Sequence, residues 1–115
     1  MKSIRWLGTF ALVAYAAAAG AHVHLKQSVP AQGAVVAAAP TQIVLTFNEP
    51  ALVTALWLQQ DDNPRQKLGP LPTEAAATVT VPTPGLKAGS YVVSWRAVSP
   101  DRHVMSGELH FKISG

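Results

Sequence analysis

From residue 42 onward the chain alternates between apolar and polar positions. Ile43, Leu45 and Phe47 fall on one side of an extended segment, with Gln42 and Thr46 on the other, which predicts a half-buried strand over 42–47. The strongest alternation runs over 90–97. There Tyr91, Val93, Trp95 and Ala97 oppose Ser90, Ser94 and Arg96. In the last strand Leu109, Phe111 and Ile113 face inward, and Glu108, His110 and Lys112 face outward. Residues 76–81 alternate too, 24–28 do so weakly up to Val29-Pro30, and 55–60 surround Trp57 with leucines. A short element is expected near 66–68, within an irregular stretch over 61–75 that reads as a loop excursion.

Turn signals separate these runs: Gln32-Gly33, Asn48-Glu49-Pro50, Asp61-Asp62-Asn63-Pro64, Gly69-Pro70 and Pro82-Thr83-Pro84-Gly85. Asn48-Glu49-Pro50 should stop the strand 42–47, so that 55–60 forms a separate one. Residues 34–39 are small and apolar, and Pro40 blocks a long helix there. The pattern implies an all-β domain, a Greek-key β-sandwich or barrel of about seven strands. Phe47, Trp57, Tyr91, Trp95 and Phe111 are expected in its core.

The first 21 residues follow a different rule. Lys2 and Arg5 precede an apolar run over 6–18, and Ala19-Gly20-Ala21 ends it with small residues. This is the form of a cleaved signal peptide, and the run is shorter than the roughly 20 residues of a membrane span. The expected division is a signal peptide over 1–21 and one domain over 22–115, with no membrane span after cleavage. Cleavage after Ala19 instead would leave Gly20 first.

Charge changes the picture only once the leader is set aside. Lys2 and Arg5 supply two of the formal +3, so the remainder carries +1. That near-neutral body gives no footing for a nucleic-acid partner. There are 0 cysteines, which excludes disulfides and thiolate metal sites. A body of this size supports one hydrophobic core, and export without cysteine fits a bacterial periplasmic protein.

Cleavage after Ala21 would make His22 the first residue. A terminal histidine offers its α-amine and ring Nδ1 to one metal ion as a self-contained chelate. Asp101 and His103, taken as an extended segment, would point to one side and add a carboxylate and an imidazole. Three nitrogens and one oxygen in a tetragonal arrangement suit Cu(II), with Zn(II) the competitor. Amine and imidazole must be unprotonated to bind, so copper should be released as the pH falls into the mildly acidic range. His24 reads as a further ligand or as a neighbour of the site, Glu49 as a surface carboxylate that could approach it, and His110 as solvated. Apart from Met1 the only thioether is Met105, too little for a soft Cu(I) site.

Several segments together resemble the CopC family of periplasmic copper-resistance and copper-homeostasis proteins. They are His22-Val23-His24-Leu25, Pro30-Ala31-x-Gly33, Leu45-Thr46-Phe47-Asn48-Glu49, Gly89-x-Tyr91-x-Val93-x-Trp95-Arg96-x-Val98-Ser99 and Asp101-x-His103-x-x-x-Gly107-x-x-x-Phe111-x-Ile113. The resemblance implies a seven-stranded Greek-key fold similar to immunoglobulin and cupredoxin architectures. It also implies one Cu(II) per chain, held by His22 through amine and ring, Asp101 and His103. Glu49 matches a position near the copper in some members. Some members carry a methionine-rich Cu(I) loop, but residues 61–72 hold no methionine here. The motif is commonly Asp-Gly-His or Asp-Thr-His, and here Arg102 intervenes.

The function expected is a monomeric, non-enzymatic Cu(II) carrier or buffer in the periplasm, with a CopD-like inner-membrane protein as a partner. Two alternatives remain at this level. One is a histidine-brace copper oxygenase, disfavoured because Asp101 would fill a position that oxygen needs. The other is a metal-free β-sandwich interaction module.

Overall fold

The structure, a computed structural model, describes residues 23–115. His22 and the leader lie outside the described residues. Seven strands follow in chain order: β1 Leu25–Val29, β2 Ala34–Val36, β3 Gln42–Gln60, β4 Gln66–Lys67, β5 Ala76–Pro82, β6 Gly89–Val98 and β7 Val104–Ile113. No helix occurs among the described residues. The central path is β1-β3-β6-β7-β2, with β4 and β5 also paired to β3. Every pairing is antiparallel except β2 with β7.

β3 is one strand of 19 residues, where two strands separated by Asn48-Glu49-Pro50 were expected. Its first half pairs with β1 and β5, and its second half pairs with β6 and β4. The register with β5 passes from Thr46↔Thr78 to Ala51↔Ala76, so β3 has extra residues at the crossing. Proline removes a ladder donor without forbidding extended backbone. Asn48-Glu49-Pro50 therefore interrupts pairing and lets the strand change partners rather than ending it. By this bend one strand serves both faces of a curled sheet.

A second irregularity lies between Val53 and Ala55 in the pairing with β6. One extra residue in a strand flips every later side chain to the opposite face. Ala51 and Val53 are buried before it, Leu56 and Leu58 after it. Trp57 consequently turns outward and is half-exposed, contrary to the expectation that it joins the core. The other aromatics are buried as the alternation predicts: Phe47, Tyr91, Trp95 and Phe111. Residues 34–36, read only as small and apolar, form the edge strand β2 against the end of β7.

The core joins both faces through Ile43, Leu45, Val79, Val81, Val93 and Leu109, all nearly inaccessible. Tyr91 stacks on Phe111 at 5.1 Å and 9°. Its hydroxyl donates to the Lys87 carbonyl at 2.6 Å and accepts from the Lys87 N–H at 3.1 Å. A tyrosine bonded to backbone a few residues upstream is a corner device of immunoglobulin-type sandwiches. It fixes the entry of β6, the strand that ends at the candidate site.

Candidate metal centre

β6 and β7 form a hairpin whose tip carries Asp101 and His103. Val98 pairs with Val104, the Ser99 N–H donates to the His103 carbonyl at 2.9 Å, and the Arg102 N–H donates to the Ser99 carbonyl at 2.8 Å. Pro100 suits the second position of this turn. Arg102 follows with φ +70°, a left-handed residue closing a three-residue hairpin loop. Glycine takes that conformation most readily, which gives a physical reason why Asp-Gly-His suits the same loop. The segment 99–103 is thus a tight turn and not the extended stretch expected. Asp101 and His103 still meet, because the left-handed step at Arg102 brings their side chains together.

The contact between them is direct: His103 Nδ1 lies 3.0 Å from Asp101 Oδ2. The side chains are 49% and 73% exposed for Asp101 and His103, open enough for an ion to reach. With Nδ1 on the carboxylate, the imidazole's Nε2 is left as its outward donor. A carboxylate has about four lone-pair sites, so Asp101 can hold His103 and still offer an oxygen.

Ser99 organises the pair, and the sequence reading gave it no role at the site. It is the buried polar residue of the described chain, 5% exposed. Its hydroxyl donates to Asp101 Oδ1 and accepts from the His103 N–H at 3.2 Å. The Ser99 hydroxyl is the largest influence holding the Asp101 carboxyl below its ordinary value of 3.8; lost hydration opposes it, and His103 adds a further lowering. The available signal was the Ser-Pro-Asp order itself, in which a hydroxyl two residues before a carboxylate can reach back to it.

Two further elements converge on this end of the fold. The His24 N–H donates to Asn48 Oδ1 at 2.7 Å, and the Asn48 N–H donates to the His24 carbonyl at 3.1 Å. Asn48 therefore anchors the start of the described chain on the bend of β3. Leu52, four residues on, pairs with Val98 next to Ser99. Four extended residues span at most about 14 Å. The anchored segment, the bend and the hairpin tip thus lie at one end of the domain. Asn48, read from the sequence only as part of a strand stop, is the residue that ties the first of these to the second.

No cluster of three or more His, Asp or Glu side chains suited to a metal occurs among the described residues. The structure brings Asp101 and His103 together and does not bring His24 or Glu49 into a cluster with them. His24 and Glu49 are both exposed at the same end. His110 lies apart on β7, with Nε2 3.7 Å from Glu108 Oε1.

An all-β domain with a carboxylate–imidazole pair on a hairpin tip is the class that fold and geometry define. The CopC domain model matches residues 25–114. The chain belongs to the CopC domain family. Copper resistance protein C of Pseudomonas syringae pv. tomato is 38% identical over 108 residues, covering 84% of each chain. The crystal structure of PcoC, a methionine-rich copper resistance protein from Escherichia coli, is similar with a TM-score of 0.62 and 30% identity, covering 82% of this chain and 100% of that one. CopC from Methylosinus trichosporium OB3b has a TM-score of 0.68 at 24% identity, covering 81% of this chain and 94% of that one, and shows the fold alone.

Proposed function

We propose that the chain is a copper-binding protein of the copper-resistance type, exported to the periplasm, where it carries or buffers one Cu(II). In this reading the signal peptide is cleaved after Ala21 and residues 22–115 form a single Greek-key domain. His22 supplies its α-amine and ring nitrogen, Asp101 an oxygen and His103 its Nε2. His24 and Glu49 stand beside the metal without binding it. The protein acts as a monomer without catalysis and passes copper to an inner-membrane partner of the CopD kind.

The observation that carries the reading is the Ser99-organised contact between Asp101 and His103, at the end of the domain where Asn48 anchors His24. His22 is two residues from that anchor, within about 7 Å of chain reach. The donor set fits Cu(II): nitrogen-rich, with one carboxylate and no thiolate. The resistance names of the relatives agree with it. Among the described residues no helix is long and apolar enough to cross a membrane.

The test is the intact mass of the secreted protein under native conditions, with and without one equivalent of Cu(II). The expected result is a chain beginning at His22 that gains one copper. Asp101→Ala and His103→Ala should each lose that copper while keeping the fold. A chain beginning at Gly20, or a His22 start that retains no copper, would overturn the proposal.

A further inference from the structure

The outward face of the sheet formed by β4, β3, β6 and β7 carries a concentration of positive charge around one half-exposed indole. The Arg65 guanidinium lies 4.2 Å from the centre of the Trp57 ring, and that of Arg96 lies 5.8 Å from it. Lys67 is the cross-strand partner of Trp57, so both side chains share this face. Ser94 pairs with Trp57 on the other side, and Ser106 pairs with Arg96. Trp57, the two arginines and the two serines border a shallow depression of about 190 Å³, with Glu108 at its rim, and Lys67 lies outside it on the same face.

The charge is uncompensated. Among the described residues neither arginine nor Lys67 is within ion-pair distance of a carboxylate. Glu108 is the single carboxylate bordering the depression, and it is directed to His110 at 3.7 Å. Two arginines therefore stand against one carboxylate at the depression, with Lys67 beside Trp57 on the same face, in a body that is otherwise nearly neutral. The bulge that turned Trp57 outward is what creates the face. A buried Trp57 would leave the two guanidinium groups without a stacking plane. Stacking holds an arginine side chain in a preferred orientation while its N–H groups remain available for a carboxylate fork.

The geometry points to this face as a docking surface for a protein partner, which it engages through an acidic segment rich in Asp or Glu. Charge complementarity selects that occupant, and the two serine hydroxyls supply further donors for carboxylate oxygens. The surface shares no residue with the Asp101–His103 pair, so it does not depend on copper binding.

The experiment is an NMR titration of the secreted protein with a hexaglutamate peptide, using hexalysine as the control and no metal present. The expected shift changes are confined to the Trp57 indole N–H and the amides around Arg65, Ser94, Arg96 and Ser106, and binding weakens with added salt. The double variant Arg65→Gln, Arg96→Gln keeps the aliphatic stems over Trp57 and removes both charges. It should bind at least about tenfold more weakly, the loss of one or two charge-assisted contacts. Lys26→Gln with Lys87→Gln, cations elsewhere on the surface, should leave binding unchanged. Absence of binding, shift changes spread over other lysines, or equal binding by the double variant would overturn the inference. So would binding of phosphatidylglycerol vesicles by this face without binding of the peptide.

Discussion

Adding a single methyl group at Gly107 tests how β6 and β7 are held together beneath the candidate site. A Cβ at Gly107 would lie 2.7 Å from Trp95 Cζ2, 2.9 Å from Cε2 and 3.0 Å from Nε1. The indole has little room to retreat. Trp95 is 7% exposed and meets Phe47 edge-on at 5.4 Å and 76°, and Phe47 is itself buried. Gly107→Ala must therefore push the ring against Phe47 or separate the two strands. Overpacking of this kind costs about 1–3 kcal/mol. Replacing glycine by alanine also restricts the unfolded chain, a gain of about 0.4–1 kcal/mol. Gly107 has no positive φ, so no strain is added on that account. The balance is a destabilisation of about 1–2 kcal/mol, and each kcal/mol lowers the melting temperature by roughly 4–8 °C in a domain of this size.

Urea and thermal denaturation of the variant would measure this directly. A double-mutant cycle with Trp95→Phe isolates the contact. The smaller ring vacates the space that the new methyl group needs. It also removes the Trp95 Nε1–H, which is buried without a hydrogen-bond partner among the described residues. Phenylalanine should therefore rescue Gly107→Ala, with a coupling of about 0.5–3 kcal/mol. A Gly107→Ala protein as stable as the parent would refute the packing argument. Strict additivity of the two substitutions would refute the specific contact.

Other consequences concern the hairpin tip. Because the Asp101 carboxyl is held low in the folded state, its contribution to stability is present above the unfolded value of 3.8 and is lost as the pH falls through the lower folded value. Ser99→Ala removes the leading cause, so the Asp101 titration followed by carboxyl ¹³C NMR should move upward; an unmoved titration would contradict the role given to Ser99. At Arg102, with φ +70°, Arg102→Val should cost about 1–2 kcal/mol more than Arg102→Gly in thermal melts, since a β-branched side chain tolerates that backbone poorly. Equal melting temperatures would show that the loop opens freely. Asn48→Ala should free the His24 segment, read as faster amide exchange at His24, because its N–H loses an acceptor at 2.7 Å. Unchanged exchange at His24 would mean that Asn48 is not its anchor.

Much of this fold was legible as a period of two. Ile43, Leu45 and Phe47, then Tyr91, Val93, Trp95 and Ala97, then Leu109, Phe111 and Ile113 alternate without interruption, and all are buried. Alternation is a local property, so the chain declares it locally. The sequence reading failed where a pairing partner decided the outcome. Whether Asn48-Glu49-Pro50 ends a strand or bends it depends on β6 being there to receive Leu52. Whether Trp57 faces inward depends on an extra residue between Val53 and Ala55, visible only against the partner's register.

The same division runs through the candidate site. Asp101 and His103 could be paired from their spacing, because two residues so close in sequence must be close in space. Ser99 and Asn48 could not be given their roles that way. A hydroxyl or an amide side chain is common in turns, and it acquires a partner only when the turn closes or when a strand from elsewhere arrives. Asn48 meets His24 across 24 residues of chain. The cationic face needed still more, since Trp57 and Arg96 come from different strands and Arg65 from the loop that leads into β4. By itself the sequence determined most of the strand pattern, the family and the closeness of Asp101 to His103. Tertiary structure alone decided which strand bends, which tryptophan reaches the surface and what holds that pair in place, because each depends on how the chain closes on itself.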